Sequence, residues 1–239
     1  MSALYIVQSS AGAIMLSDKY AHNVVCGEKD LNFFVPKLFR VYPNVYAGAV
    51  GSVPIYKKAL DDLAIYLYAN YPIDPSGQKK SRLPSSDEVL RVLSSQLADI
   101  AYDYRKNRTR SSDLNYSEDA RVFLVMAGSY VASEDIAEGR CTSCYSVESS
   151  NNFQPKRLPG CMVHSFSELS NTIWNYPSVL KIRQQGVLQQ LHVLVGIHNL
   201  CSTLGTYISA DYNAVIVGSE RYTLMNGTIV DLPCEHLVY

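Results

Sequence analysis

Residues 2–18 read SALYIVQSSAGAIMLSD. Two apolar runs, 3–7 and 13–16, flank a short stretch of small and polar residues, and this pattern is typical of two β-strands joined by a tight turn. The return strand ends at Asp18, so the hairpin brings this residue back beside the start of the chain. The sequence therefore predicts an opening antiparallel hairpin that places a carboxylate close to Ser2.

A second hairpin is predicted over 37–50, where Lys37 begins one strand and the small residues from Gly48 to Gly51 end the next. Glycine at such a place lets backbone N–H groups approach a ligand closely. The next residues, 53–70, have apolar side chains at helical spacing. A strand–turn–strand–helix order is therefore expected for the first 70 residues.

The rest of the chain continues in separate blocks of strands and helices. Helices are predicted near 86–106, 167–184 and 187–201, and strands near 121–128, 143–148, 212–217 and 221–225. Segregated blocks favour an α+β architecture over a parallel βαβ sheet. Pro72 to Ser86 and Ser133 to Arg140 are predicted to be polar surface loops.

Composition narrows the class of protein. The 239 residues fit one domain, 1–239, with a sizeable core. A net charge of −1 without long basic runs argues against nucleic-acid binding, and the apolar runs are too short for a membrane span. Six cysteines without a recognisable leader predict free thiols and a cytoplasmic location.

Neither a metal site nor a cofactor is predicted. Cys141 and Cys144 form a CxxC motif, but no second CxxC or histidine pair follows at zinc spacing. A local thiol pair is the better interpretation. His192 and His198 are six residues apart on one predicted helix, and core or interface positions are expected for them.

Ser2 is the candidate nucleophile. If Met1 is removed, which a small second residue permits, Ser2 carries a hydroxyl and a free amine on one residue. The α-amino group titrates near about 8, so at neutral pH it can accept the hydroxyl proton. If Met1 is retained, this chemistry is lost.

Ser2, Asp18, Lys37 and Gly51 together resemble the β-type subunits of the proteasome and their bacterial homologues. In that family an N-terminal nucleophile, almost always Thr, is followed sixteen residues later by Asp, and a Lys is followed fourteen residues later by an oxyanion-binding Gly. The present chain has the same two spacings, from Ser2 to Asp18 and from Lys37 to Gly51. The resemblance covers nearly the whole chain but is specific only in its first 52 residues.

The resemblance implies the N-terminal-nucleophile hydrolase fold, a four-layer αββα sandwich of two antiparallel sheets flanked by helices. It also implies a self-compartmentalising peptidase subunit that assembles into stacked rings. Its substrates would be peptides or unfolded proteins, and an ATP-dependent unfoldase is a candidate partner.

Site roles follow from the same resemblance. Ser2 would attack the peptide carbonyl, Lys37 would sit beside it, Asp18 would orient Lys37, and the Gly51 N–H would bind the oxyanion. Further hydrogen-bonding support around the amine would come from Ser165, Asn199 and Ser202. For Asp18 and Lys37, a buried ion pair that only ties the two hairpins together is the alternative.

Substrate contacts are implied at five further positions. Ala21 and His22 would offer backbone groups to an extended peptide. Ala49 would form the floor of the pocket for the residue before the cleaved bond, with Val35 and Val53 in its walls. Such a pocket would favour a large apolar side chain.

The chain departs from the family pattern in three ways. Ser2 replaces Thr, which removes a restraint on the hydroxyl rotamer. Asn199 replaces an Asp, and the segment between Asp18 and Lys37 is about three residues longer than usual. Two alternatives therefore stay open: a catalytically inactive ring-building subunit, and an N-terminal-nucleophile amidase that acts on a small molecule.

Overall fold

The structure is a computed structural model. It describes the residues 3–10, 12–19, 35–73, 83–108, 119–158, 162–165, 187–204, 211–218, 221–223, 229–231 and 236–238. The predicted helix near 167–184 lies outside these residues.

Twelve strands and four α-helices occupy the described residues. The strands are β1 (Ala3–Ser9), β2 (Gly12–Asp18), β3 (Leu38–Tyr42), β4 (Val45–Gly51), β5 (Ala120–Ala127), β6 (Thr142–Glu148), β7 (Lys156–Arg157), β8 (Met162–Ser165), β9 (Tyr212–Gly218), β10 (Arg221–Thr223), β11 (Ile229–Asp231) and β12 (His236–Val238). The helices are α1 (Val53–Asn70), α2 (Ser86–Arg108), α3 (Ser133–Ala137) and α4 (Val187–Leu204).

Ten of the strands form two antiparallel five-stranded sheets. The first sheet has the order β12-β9-β2-β1-β8, and the second has the order β3-β4-β5-β6-β7. Strands β10 and β11 form a separate two-stranded ribbon. Each predicted hairpin thus lies in a different sheet, with β1 and β2 in the first and β3 and β4 in the second.

Side chains that alternate along each strand face two different layers of the fold. In β1, Leu4 and Ile6 contribute to a cluster between the two sheets, whereas Ala3, Tyr5 and Val7 pack with residues of α4. Successive strand side chains point to opposite faces, so an apolar strand supplies two cores at once.

The second sheet repeats this arrangement with a different pair of helices. Tyr46 and Val50 of β4 join the cluster between the sheets, and Ala47 and Ala49 pack with α1 and α2. The layer order is therefore α1 and α2, second sheet, first sheet, α4. This confirms the predicted α+β fold of two antiparallel sheets flanked by helices.

The helix α1 spans the predicted residues. Pro54 stands in its first turn, where its missing N–H costs no helical hydrogen bond. The predicted apolar face is buried against the second sheet, and it comprises Ile55, Ala59, Leu63 and Leu67.

The predicted surface loop from Ser133 to Arg140 is wrong in part. Residues Ser133–Ala137 form α3, and Asp135 is fully buried. Its carboxylate accepts hydrogen bonds from Arg140 Nε at 2.7 Å, from Arg157 Nη2 at 2.8 Å and from Ser143 Oγ at 2.5 Å. Two of these three donors lie on β6 and β7, so this carboxylate holds α3 against the edge of the second sheet.

In the part of the chain that the structure describes, every helix is too short or too polar to cross a bilayer.

Candidate functional site

The centre of the site is the carboxylate of Asp18, at the end of β2. One oxygen, Oδ1, accepts hydrogen bonds from the backbone N–H of Ala3 at 2.8 Å and from Lys37 Nζ at 2.7 Å. Since both donors share one oxygen, Lys37 Nζ and Ala3 N can be no farther apart than the sum of those distances. The ammonium group therefore lies near the backbone nitrogen of Ala3, the residue that follows Ser2.

Lys37 is the last residue before β3, and hydrogen bonds hold its backbone and that of the preceding residues. Its carbonyl accepts the N–H of Ala49 at 2.8 Å, and two residues earlier the N–H of Val35 bonds to the carbonyl of Lys19 at 3.2 Å. These bonds connect the lysine to both hairpins. The buried side chain of Lys37 therefore reaches Asp18 from a rigid position.

The electrostatics of the pair are those of a buried ammonium beside a carboxylate. Burial lowers the pKa of Lys37, and the nearby charge of Asp18 opposes this shift without cancelling it. An ammonium in this environment releases its proton more readily than one in water.

Ser2 lies outside the described residues, as do Ala21 and His22. The residue bonded to Ser2, Ala3, is directly opposite Ser165 of β8. The structure thus brings the backbone of Ser165 to the strand position beside the start of β1, on the side away from Asp18.

Gly51 ends β4 with a left-handed backbone, φ +100°. A Cβ atom at this position would lie 2.0 Å from the carbonyl oxygen of Asp119, so only glycine fits. The chain turns here into α1, and the N–H of Ser52 bonds to the same carbonyl at 2.6 Å. Glycine is therefore required by the packing of the turn, whatever its N–H does in a reaction.

Asn199 and Ser202 lie in the last two turns of α4, which ends at Leu204. Asn199 is exposed, and Ser202 Oγ donates to its carbonyl at 2.8 Å, an ordinary bond within a helix. The face of α4 that packs on the first sheet instead carries His198 and Cys201, which are fully buried.

Three of the predicted pocket residues come together. Val35 and Ala49 are buried in the cluster between the second sheet and α1, and Val53 packs against that cluster. Ala49 has no solvent exposure and Val35 has 3 %. Val35 is two residues before Lys37 and the N–H of Ala49 bonds to the lysine carbonyl, so these two residues lie beside Lys37.

A groove exists elsewhere among the described residues, between α2 and the edge of the second sheet. Its volume is about 750 Å³, and its walls include Asp87, Arg91, Tyr145, Gln154 and Arg157. The described residues contain no group of three or more His, Cys, Asp or Glu side chains arranged to hold a metal ion.

Two buried tyrosines, whose pKa values respond to the charge of Asp18, were not predicted from the sequence. Tyr5 of β1 and Tyr56 of α1 are fully buried, and in each the pKa is raised by burial first and by the charge of Asp18 among the further causes. The excess of tyrosine over phenylalanine, 18 against 6, was the available signal. Tyrosine is common at subunit contacts, but these two rings are in the core.

The comparisons with known proteins define the fold. No family model matches the chain, and no curated protein matches it. Among solved structures it is similar to Anbu (ancestral beta-subunit) from Yersinia bercovieri, with a TM-score of 0.62 and 11 % identity, over 90 % of this chain and 82 % of that chain.

These findings correct the sequence resemblance. The predicted identification with proteasome β-type subunits and their bacterial homologues is wrong, because the similarity found is to Anbu at 11 % identity and at that identity it extends to the fold alone. The physical reason is that the spacings of sixteen and fourteen residues follow from the lengths of two hairpins, which a fold can keep without family-level sequence similarity. What the chain shares with Anbu is the proteasome-like, N-terminal-nucleophile hydrolase fold.

Proposed function

We propose that this chain is an N-terminal-nucleophile peptidase in which Ser2, exposed by removal of Met1, cleaves peptide bonds. One observation supports this above the others. The buried carboxylate of Asp18 binds Lys37 and also the amide that follows Ser2. An ammonium group held beside the first peptide of the chain is the electrostatic environment that such a nucleophile needs.

The reaction would proceed by acyl transfer. The amine of Ser2 takes the hydroxyl proton as Oγ attacks the substrate carbonyl. The oxyanion of the tetrahedral intermediate accepts a hydrogen bond from the N–H of Gly51. The proton then passes to the departing amine, which leaves an ester on Ser2. A water molecule, deprotonated by the amine of Ser2, then hydrolyses the ester and restores the free hydroxyl of Ser2.

Lys37 and Asp18 would act by charge. The ammonium of Lys37 disfavours a second positive charge on the amine of Ser2, so the amine stays neutral and can act as a base. It also stabilises negative charge that develops on Oγ. Ser165, Asn199 and Ser202 are kept as candidate supporting residues around the amine of Ser2.

Containment would limit this activity to substrates that reach an inner chamber. The fold is similar to that of a protein named as an ancestral beta-subunit, which supports self-association into stacked rings. Peptides or unfolded chains would be the substrates, an ATP-dependent unfoldase a partner, and the cytoplasm the location.

A catalytically inactive structural subunit is the second candidate. The observation in its favour is that Val35 and Ala49 are buried in the core, with 3 % and no solvent exposure. The Lys37–Asp18 pair would then only join the two hairpins.

The intact mass of the purified chain after incubation with a peptide epoxyketone tests the proposal. This reagent requires a hydroxyl and an amine on one residue. We expect a chain that lacks Met1 and carries one adduct, which is lost in Ser2→Ala and retained in the control Ser10→Ala, a change at an exposed serine of the β1–β2 turn.

A trimmed chain without an adduct would favour the inactive subunit, or an amidase of the same fold that acts on small molecules. Electron microscopy of the same sample would separate these two, because only the first is expected to form rings. A chain that retains Met1 would overturn the proposed chemistry.

A further inference from the structure

Arg157 of β7 is held in place by a completely buried carboxylate. Its Nε donates to Asp135 Oδ2 at 3.1 Å and its Nη2 donates to Asp135 Oδ1 at 2.8 Å, and the side chain of Asp135 is 0 % exposed. Two parallel hydrogen bonds of this kind fix the plane of a guanidinium group as well as its position. The Nη1 hydrogens of Arg157 take no part in these bonds.

Arg157 lines the groove between α2 and the edge of the second sheet. Its side chain is 32 % exposed, although the carboxylate that holds it is not exposed at all. Tyr145 is directly opposite Arg157 in the register of β6 and β7, and it lines the same groove. Partners of this kind on antiparallel strands have their side chains on one face of the sheet. Asp135 therefore presents a fixed guanidinium group at the surface of the groove.

Hydrogen bonds also fix the walls of the groove relative to each other. Ser94 Oγ of α2 donates to the carbonyl of Phe153, in the loop before β7, at 2.6 Å. Within that loop Asn151 Nδ2 donates to the carbonyl of Gln154 at 2.9 Å, and the Gln154 N–H donates to the carbonyl of Asn151 at 3.2 Å. The protein itself thus sets the shape of the groove, whose volume of about 750 Å³ is within the usual range of small-molecule sites.

The positive charge of Arg157 is only partly compensated. Asp135 also accepts a hydrogen bond from Arg140, so its one negative charge is shared between two guanidinium groups. Among the ion pairs of the described residues, Arg140 has a second acidic partner, Glu138, whereas Arg157 has only Asp135. Arg157 is therefore the member of this cluster that can attract a further anion.

The other charged residues of the groove agree with an anionic ligand. Arg91 of α2 lines the groove together with Arg157, and Asp87 is the one acid among the described lining residues. Asp87 stands in the first turn of α2, where a carboxylate interacts favourably with the helix dipole. This position gives Asp87 a structural role of its own, and the two arginines leave the groove with an excess of positive charge.

We propose that this groove binds a small polar molecule through a carboxylate group that accepts hydrogen bonds from Arg157, and that Asp135 is the positioning residue for Arg157. A planar carboxylate matches the fork of N–H groups that a guanidinium offers. Arg91 adds attraction by its charge. The groove belongs to the second sheet and α2, whereas Ser2 precedes β1 of the first sheet, so the inference does not rest on the proposed function.

Isothermal titration calorimetry with succinate, a small polar carboxylate, tests the site. We expect saturable binding of succinate at low ionic strength and no binding of succinamide, which has a similar shape but no charge. Arg157→Gln should weaken succinate binding about tenfold or more, because hydrogen bonds between charged groups are lost.

Arg140→Gln is the matched control. Arg140 Nε also donates to Asp135, at 2.7 Å, but Arg140 is not among the residues that line the groove. This variant should lower the stability of the chain, as Arg157→Gln does, while its affinity for succinate stays close to that of wild type.

Arg91→Gln provides a variant that leaves the Asp135 cluster intact. Arg91 is exposed on α2, so its replacement should not disturb folding. We expect succinate binding to weaken roughly twofold to fivefold, as is typical for loss of an exposed charge. This result is measurable even if Arg157→Gln does not fold.

Three results would overturn the inference: no saturable binding of succinate, equal affinity of wild type for succinate and succinamide, or tighter binding of inorganic phosphate than of succinate. Wild-type affinity in both Arg157→Gln and Arg91→Gln would overturn it as well. None of these titrations uses the reaction of Ser2, so a chain that binds succinate in the groove but forms no epoxyketone adduct refutes only the proposed function.

Discussion

Lys37 Nζ lies 2.7 Å from Asp18 Oδ1, and the two side chains are 2 % and 0 % exposed. A buried pair of this kind pays a desolvation penalty that can equal the attraction between its charges. The pair as a whole therefore adds little net stability, but each partner depends on the other.

Removal of one partner should be far more damaging than removal of both. We expect Lys37→Met to lower the free energy of unfolding by about 3–5 kcal/mol, because Asp18 is left as an uncompensated buried charge. The double variant Asp18→Asn/Lys37→Met should recover a large part of this loss. Urea unfolding of the three proteins measures both effects.

An exposed ion pair on α1 is the control for that comparison. Lys57 and Asp61 are four residues apart and about half exposed, so Lys57→Met should cost no more than about 0.5 kcal/mol. If Lys37→Met lowered the free energy of unfolding no more than Lys57→Met does, the buried charge of Asp18 would not depend on Lys37 for its stability.

The lowered pKa of Lys37 predicts a pH dependence of stability. Between the native pKa and the ordinary value of 10.5, the unfolded chain binds more protons at this residue than the native chain does. Stability contributed by the residue therefore rises with pH in that window. Relative to Asp18→Asn/Lys37→Met, the wild-type free energy of unfolding should increase as the pH is raised towards 10.5 in urea titrations. A decrease would mean that Asp18 raises the lysine pKa above its ordinary value.

Local patterns explain how much of the fold was predictable. The apolar runs within 2–18, the small residues from Gly48 to Gly51 and the helical spacing of apolar residues over 53–70 are properties of short segments, so both hairpins and α1 could be predicted from them. The Lys37–Asp18 pair was expected from the resemblance, because neither hairpin alone specifies which charge of the other it meets. The same spacings could not identify a family, since they depend on hairpin length alone.

The missed features depend on contacts between distant residues. Asp135 looked like part of a polar loop, and it is buried because Arg157, twenty-two residues later, reaches it. Tyr56 lies beside the predicted apolar face of α1, and its burial depends on how α1 packs on the second sheet. The strand β7 has only two residues, and its pairing with β6 carries no pattern of its own.

The Asp135 cluster predicts an acid-sensitive part of the fold. Burial would raise the pKa of Asp135, but hydrogen bonds from Arg157, Ser143 and Arg140 outweigh it, and the pKa is lowered. The native carboxyl group therefore binds its proton less readily than the unfolded one. Its contribution to stability is complete above the ordinary carboxyl pKa and is lost as the pH falls through the native pKa.

Asp135→Asn should expose this contribution. Near pH 7 the variant should be less stable by about 2–4 kcal/mol, because two partly buried arginines lose their counter-charge. The difference from wild type should shrink as the pH is lowered through the acidic range in urea titrations. A difference that stays constant down to the lowest pH would show that the charge of Asp135 does not contribute.

Gly51 provides the sharpest steric prediction. Gly51→Ala introduces a Cβ that meets the backbone oxygen of Asp119 at 2.0 Å, at a φ of +100° that alanine disfavours, so the turn into α1 must move. Gly139 also has a positive φ, +73°, but nothing lies within 4 Å of its added Cβ. We expect Gly139→Ala to cost about 1 kcal/mol from backbone strain alone and Gly51→Ala at least twice as much, measured by urea unfolding. The epoxyketone adduct should also form more slowly in Gly51→Ala than in Gly139→Ala, because the N–H proposed to bind the oxyanion is displaced. Equal losses in the two variants would mean that the turn relaxes freely, and its rigidity could then have no part in holding that N–H.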